Sequence, residues 1–224
     1  MKNQKYAIIV AGGSGRRMGG EIPKQFLPLA GKPILLHTIK RFLEVPSIKI
    51  ILVLPEKDIE FWNETCIQNA FIEKSIIVVK GGNTRFQSVK NGLSYIENTG
   101  IVAVHDGVRP LVSLAIIHRS FEIAEKEGSA ITSVVLKDSI REVKPNGENK
   151  AVERINFRLM QTPQTFQSEL IQKAFEVKEQ TFFTDCASVV EFSGFPVTLI
   201  EGAYENIKIT TPEDLLIAEA LLKK

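Results

Sequence analysis

The stretch Tyr6-Ala7-Ile8-Ile9-Val10-Ala11-Gly12-Gly13-Ser14-Gly15-Arg16-Arg17-Met18-Gly19-Gly20-Glu21-Ile22-Pro23-Lys24-Gln25 decides how the 224-residue chain is read. Its first five residues are short, apolar, rich in β-branched side chains and stopped by glycine, the pattern of a buried strand. The glycine-rich, basic residues after them cannot be core. Gly12, Gly13 and Gly15 let the backbone take positive φ and expose N–H groups at close range. Successive N–H groups in such a turn make a concave anion site. Arg16, Arg17 and Lys24 add cations to the same loop. Pro23 stiffens the approach to Lys24, and the apolar Phe26 and Leu27 tether it to the body of the chain. Bare amides and clustered cations after a first strand suit the phosphates of a nucleotide.

The spacing excludes the two commonest phosphate loops in strict form. A dinucleotide turn needs G-x-G-x-x-G, and Gly13-Ser14-Gly15 is followed by one residue too many before Gly19. No acidic residue stands about twenty positions on, where a dinucleotide ribose would be held. A P-loop needs Gly-Lys followed by Ser or Thr, and Gly31-Lys32 is followed by Pro33. A dinucleotide oxidoreductase is therefore disfavoured.

Downstream, helical and strand periods alternate. Residues 33–45 carry apolar positions at helical spacing with proline in the first turn. Residues 48–54 read as a strand, 59–70 as a helix, 76–80 as a strand and 85–97 as a helix. Residues 101–104 read as a strand, 114–127 as a helix closed by Gly128, and 130–136 as a strand. Such alternation predicts an α/β fold: a mostly parallel twisted sheet with helices on both faces. Ligands on such sheets lie beyond the carboxyl ends of strands, which here means the loops after Val10, Leu54, Lys80 and Val104. The third of these is Gly81-Gly82-Asn83-Thr84-Arg85-Phe86-Gln87-Ser88, where Asn83 or Thr84 can cap the helix. The fourth is His105-Asp106-Gly107-Val108-Arg109-Pro110. His105, His37 and His118 read as packing residues.

Residues 137–158 change character. They are charged, and Lys144-Pro145-Asn146-Gly147 reads as a turn between two extended arms. A lone two-stranded hairpin is marginal in water, so this one should lean on a second subunit. Gln161 to Phe166 reads as a rigid loop. Helices are expected over 168–178 and 185–192, with Thr184 a possible cap for the second. Residues 197–201 read as a strand, and a last helix runs to Leu222. Lys208 alternates with Ile207 and Ile209, so it should project from a strand away from its apolar neighbours and need an anion.

These motifs carry a resemblance. A-G-G-x-G-x-R-M-G followed by P-K-Q-F is similar to the sugar-nucleotide and polyol-phosphate nucleotidyltransferases. The later motifs narrow it to the cytidylyltransferases that act on 2-C-methyl-D-erythritol 4-phosphate in the non-mevalonate isoprenoid pathway. The resemblance spans nearly the whole chain. It implies a Rossmann-like nucleotidyltransferase fold with a protruding β-arm, and transfer of CMP from CTP to the polyol phosphate with release of pyrophosphate. It assigns Arg17, Lys24, Lys208 and, from a partner chain, Arg154 to catalysis. Arg17 is preferred to Arg16 because the family's arginine adjoins the methionine, here Met18. It places Ala11, Gly12, Gly13, Gly15, Gly82, Asn83, Ser88 and Asp106 at the nucleotide, and Asp106, Arg109, Ser139, Arg154 and Thr184 at the acceptor. The family usually has aspartate where Asn83 stands and threonine where Ser139 stands. Mg²⁺ is expected to ride on the CTP phosphates, with no dedicated protein cage. A homodimer is expected, each arm completing the neighbour's site.

The alternatives are a ribitol 5-phosphate cytidylyltransferase, which shares several of these motifs, and a non-catalytic nucleotide-sensing module on the same fold. Composition narrows the rest. A 25.0 kDa chain with 44% apolar residues is expected to form one domain over 1–224, with a dimerisation arm near 137–158. A formal net charge of +2 is too balanced for a general nucleic-acid or membrane binder. Two cysteines without metal-ligand spacing suit a reducing compartment. The N-terminal apolar run ends in Gly-Gly without a cleavage pattern. No run reaches membrane-spanning length. The expected location is cytoplasmic.

Overall fold

Continuous apolar strands are buried on both faces here, as a parallel sheet between helical layers requires. The computed structural model describes residues 3–12, 22–71 and 75–223. Its strands are β1 (Gln4–Val10), β2 (Pro28–Leu29), β3 (Lys32–Pro33), β4 (Ile48–Leu54), β5 (Ile76–Lys80), β6 (Gly100–Asp106), β7 (Ser129–Val135), β8 (Ile140–Val143), β9 (Asn149–Val152), β10 (Arg158–Gln167) and β11 (Leu199–Glu201). Its α-helices are α1 (Ile34–Leu43), α2 (Glu56–Gln68), α3 (Arg85–Leu93), α4 (Leu114–Glu127), α5 (Ser168–Ala174), α6 (Cys186–Phe192) and α7 (Pro212–Leu222).

The central sheet has seven strands in the order β11-β7-β10-β6-β1-β4-β5. β1 runs parallel to both β4 and β6, and β5 extends the parallel side beyond β4. Alternation sorts each strand's side chains between two cores. Ala7, Ile9, Ile50, Leu52, Ile101 and Ala103 join one core with α1 and α4 residues such as Ile39, Phe42 and Phe121. Tyr6, Ile8, Ile51, Val53, Val102 and Val104 join the other with Val89, Ile171 and Val190 from α3, α5 and α6. A smaller cluster of Leu29, Ile34, Val108, Ile209 and Ala218 seats α7 beside β2.

The α/β expectation therefore holds, with one substantial correction. Gln161 to Phe166, expected as a loop, lies inside β10, and β10 is the one antiparallel strand between β6 and β7. The sequence hid it because the strand is broken. Its register with β7 shifts between Met160 and Gln164, around a cis Thr162–Pro163 peptide. Proline tolerates a strand interior only at such an irregularity, where the ladder asks it for no N–H. The hydrophobic alternation that announces a strand is lost there too.

Helix ends differ in the usual way. α2 starts at Glu56 rather than Ile59, and Ala70 beyond it has a φ of 48°. α3 stops at Leu93 rather than Glu97, and α5 at Ala174 rather than Lys178. The charged segment forms the expected hairpin: β8 and β9 pair antiparallel, and Gly147 turns the chain at φ 87°. Phe166 on β10 is fully buried in the second core. Phe166→Ala should lower the unfolding free energy by about 3–5 kcal/mol, read from the urea midpoint.

Candidate active site

The carboxyl ends of β1, β4, β5 and β6 meet at one rim, and main-chain hydrogen bonds lace it. Ala11 N–H donates to Val53 O at 3.0 Å, Gly107 N–H to Val10 O at 2.9 Å and Gly81 N–H to Leu54 O at 2.7 Å. From β1 the chain winds outward to β4 and β5, then returns to place β6 on the other side of β1. That reversal opens the crevice in which open α/β sheets hold ligands. The cavity found there is lined by Ala11, Gly12, Lys24, Gly82, Asn83, Thr84, Arg85, Ser88, Asp106 and Lys208 among others. Eight residues assigned from sequence thus converge. Gly13, Gly15 and Arg17 lie outside the described residues.

Gly12 does not use the left-handed freedom open to glycine. Among the described residues, a Cβ there would meet only the ring of Pro55, at 4.0 Å. What glycine leaves at this position is an open backbone facing the cavity. Gly82 is constrained differently: a Cβ would fall 2.3 Å from Gln87 Cβ. Its N–H donates to Ser88 Oγ at 3.1 Å, which folds the loop onto the first turn of α3. Thr84, rather than Asn83, is the cap, accepting from Gln87 N–H at 3.1 Å. Asn83 instead donates its main-chain N–H to Gln87 Oε1 at 3.0 Å.

Lys24 sits in a short 3₁₀ turn, Lys24–Phe26, behind Pro23. The turn is bolted down by Gln25, whose Nε2 donates to Asp58 Oδ2 of α2 at 2.9 Å. Both partners are buried, and burial pushes the Asp58 carboxyl up despite that bond and the nearby Lys57.

Asp106, the last residue of β6, is the hub. Lys208 Nζ stands 3.0 Å from its Oδ2, Arg109 Nε 3.4 Å from the same oxygen, and Arg85 Nε 3.8 Å from Oδ1. Burial alone would raise this carboxyl, but Arg85, Lys208 and Arg109 outweigh it and hold the group well below the usual carboxylate range. Lys208 alternates with Ile207 and Ile209 as expected, but not from a strand: residues 202–210 carry no regular secondary structure. Ile209 is anchored in the small apolar cluster and Lys208 faces out of it. The anion it needed is Asp106.

Arg85, Asp106 and Lys208 also line a second, adjoining cavity with Arg109, Gln161, Thr162, Gln164 and Thr184. Asp106 is thus a wall between two compartments. Thr184 lies in the second, but the cap of α6 is Asp185, whose side chain accepts from Ser188 N–H at 2.9 Å. Ser139 and Arg154 are exposed on the arm, and the Arg154 guanidinium donates to Lys137 O. Neither lines either cavity. Arg85 was missed from sequence. A cation at the first position of a helix opposes the helix dipole, and that misfit was the available signal.

His105 is structural, as expected. It is fully buried, with Nε2 3.2 Å from Arg109 O and Nδ1 3.1 Å from Thr162 Oγ1. A carbonyl can only accept, so Nε2 carries the proton and Thr162 donates to Nδ1. Thr162 Oγ1 in turn accepts from Asp106 N–H at 3.1 Å.

A cavity at the reversal point, shared cations and a second cavity across one carboxylate suit a nucleotidyltransferase of the α/β class. The sequence model of the 2-C-methyl-D-erythritol 4-phosphate cytidylyltransferase family matches residues 6–224. The chain belongs to that family. It is 49% identical to the Bacteroides thetaiotaomicron 2-C-methyl-D-erythritol 4-phosphate cytidylyltransferase over 98% of this chain and 100% of that protein. It is 48% identical to the Porphyromonas gingivalis enzyme of the same name, over 99% of each. Among solved structures, 4-diphosphocytidyl-2C-methyl-D-erythritol synthase from Anaerococcus prevotii superposes with a TM-score of 0.84 at 29% identity, over 99% of this chain and 97% of that one. The Francisella tularensis 2-C-methyl-D-erythritol 4-phosphate cytidylyltransferase gives 0.79 at 34% identity, over 97% and 99%. The methylerythritol reading is thereby favoured over the ribitol one.

His105 sets an acid limit on this architecture. Burial lowers its pKa from 6.5 to about 4, so the unfolded chain binds the proton first. Its contribution to stability is complete above pH 6.5 and declines as pH falls toward 4, by about 3 kcal/mol in all. Urea unfolding at pH 7 and pH 4.5 should record most of that loss, and His105→Gln should remove it from the slope.

Proposed function

We propose that this chain transfers CMP from CTP to 2-C-methyl-D-erythritol 4-phosphate, with CTP in the cavity over Ala11 and Gly82 and the polyol phosphate in the adjoining one. The products are 4-diphosphocytidyl-2-C-methyl-D-erythritol and pyrophosphate, in the non-mevalonate route to isoprenoid precursors. The observation that carries this assignment of compartments is the sharing of Asp106, Arg85 and Lys208 by the two cavities.

The acceptor's phosphate oxygen attacks the α-phosphorus in line. The new O–P bond forms as the bond to the bridging oxygen of pyrophosphate breaks. The nucleophile is already anionic at neutral pH, so the step needs no strong general base. It needs two polyanions held together and the transition-state charge neutralised. Lys24 and Arg17 serve the crowded phosphorus and the leaving pyrophosphate. Lys208 and Arg109 hold the acceptor phosphate, with Thr184 beside them. The open backbone at Ala11 and Gly12 takes the nucleotide, and the family resemblance assigns Gly13 and Gly15 to it as well. Gly82, Asn83 and Ser88 meet the base, and Asp106 lies between ribose and acceptor. Mg²⁺ would arrive on the CTP phosphates and supply charge neutralisation there. Asp106 is the one carboxylate among the described residues lining the nucleotide cavity.

We read the chain as one domain with an arm over 137–158 that reaches a second copy, so that Ser139 and Arg154 of the partner subunit complete the acceptor pocket. Exposed apolar side chains support this: Val143 on β8, Ile155, and Phe157 and Leu159 where the arm enters β10. The two free cysteines, Cys66 and Cys186, favour a cytoplasmic setting. Among the described residues no helix is long and apolar enough to cross a membrane.

Lys24→Ala should lose turnover by about two to three orders of magnitude with an unchanged circular dichroism spectrum. Near-normal single-turnover chemistry in that variant would overturn its role. Mixing Lys24→Ala and Arg154→Ala chains tests the arm. Half the pairs would be mixed, each with one intact site, so activity should recover to about a quarter of wild type. A mixture no more active than its components would place Arg154 outside the neighbouring site.

A further inference from the structure

We propose that Asn206 is a positioning residue for the acceptor side of the site, setting the geometry of Lys208 and Arg109 on Asp106. This rests on the reading of the second cavity as the acceptor's. Lys208 stands in a segment without regular secondary structure, yet its ammonium is fixed 3.0 Å from Asp106 Oδ2. Something other than a sheet ladder must hold it. One attachment comes just after Lys208: Ile209 N–H donates to Val108 O at 2.9 Å, with the side chain fully buried. The other precedes it and is Asn206.

Asn206 is fully buried and works in two directions. Its Nδ2 donates to Thr162 O at 2.9 Å and to Gln161 Oε1 at 3.2 Å, both in the irregular part of β10. Its main-chain carbonyl accepts from Arg109 Nη1 at 2.8 Å. Gln161 closes the latch from the other side, donating Nε2 to Ala203 O at 2.8 Å. Thr162 is also the residue that receives Asp106 N–H. Asn206 therefore ties the segment that carries Lys208 to β10 through its side chain, and to Arg109, on the stretch that carries Asp106, through its main chain.

Two features point to geometry rather than bulk stability as its task. The Asn206 Oδ1 is buried with no partner among the described residues, a loss that a residue selected for stability alone would avoid. Its partners sort by compartment as well. Arg109, Gln161 and Thr162 line only the second cavity, whereas Lys24, Gly82 and Ser88 line only the first. Loosening Asn206 should therefore harm use of the polyol phosphate far more than use of CTP.

The test is steady-state kinetics with each substrate varied, for Asn206→Ala, Asn206→Ser and Lys208→Ala. Phe121→Leu, in the core on α4, is the stability control. Asn206→Ala should lower kcat/KM for the polyol phosphate by about 30- to 100-fold, since misplacing a positioned group by about 1 Å costs that order. KM for CTP should stay within about threefold in that variant. Asn206→Ser, which keeps one donor, should recover part of the loss, and it carries the test if the alanine variant does not fold. Phe121→Leu should lower the melting temperature without changing either kcat/KM. If Lys208→Ala impairs acceptor use and neither Asn206 variant does, the inference fails while the site reading stands. Equal losses for both substrates would reduce Asn206 to a general structural role and also overturn it. An unaffected Lys208→Ala would overturn the acceptor reading, and this inference with it.

Discussion

Everything at the rim is arranged about one buried carboxylate. Three cations on three separate segments, Arg85, Arg109 and Lys208, converge on Asp106. Gathering like charges in a protein interior is costly unless an anion sits among them. Asp106 permits the gathering without cancelling it: even with Asp185, which also acts on Arg85 and lines the second cavity, two negative charges do not neutralise three positive ones. The surplus faces two cavities at once. A site built this way is already polarised for polyphosphate before any substrate arrives, so little reorganisation is left for the moment of reaction.

The carboxylate is itself held by the least conspicuous part of the sheet. β10 supplies Thr162, whose hydroxyl takes the Asp106 N–H and gives its own proton to His105. His105 in turn holds the main chain at Arg109. The histidine is neutral and lines neither of the two cavities, yet it fixes the spacing between the acid and one of its cations. A core residue that does no chemistry thus belongs to the site's scaffolding.

Much of this was legible in the chain, for physical reasons. β1, β4 and β6 are buried on both faces, so they announce themselves as apolar runs. The loops after them carry glycine and cations, which cannot be core. Lys24 is accordingly found from its loop and Lys208 from its alternation; Gly82, Ser88 and Asp106 come with the family resemblance, and all five meet. β10 was not legible. Proline and a register shift interrupt its alternation, and its identity as a strand comes from neighbours distant in sequence. Arg85 is easily passed over because Thr84 makes the segment read as a capped helix start, and the only contrary sign is a cation set against the dipole. Asn206 carries no signal at all, since a buried amide's partners are set by tertiary packing. For Lys208 the alternation gives the right direction and the wrong setting, because alternation persists in any extended segment, paired or not.

The lone reversal of strand polarity has a geometric corollary. A strand that opposes its neighbours begins at the edge where they finish. β7 ends at Val135 and β10 opens opposite it at Arg158, so both chain ends of the intervening excursion are pinned to the catalytic edge. Had β10 run with the others, only the departing end of the hairpin would be fixed at this edge, and the returning chain would first have to cross a full strand length. Orientation of a single strand thus decides that whatever grips the hairpin is felt beside the chemistry.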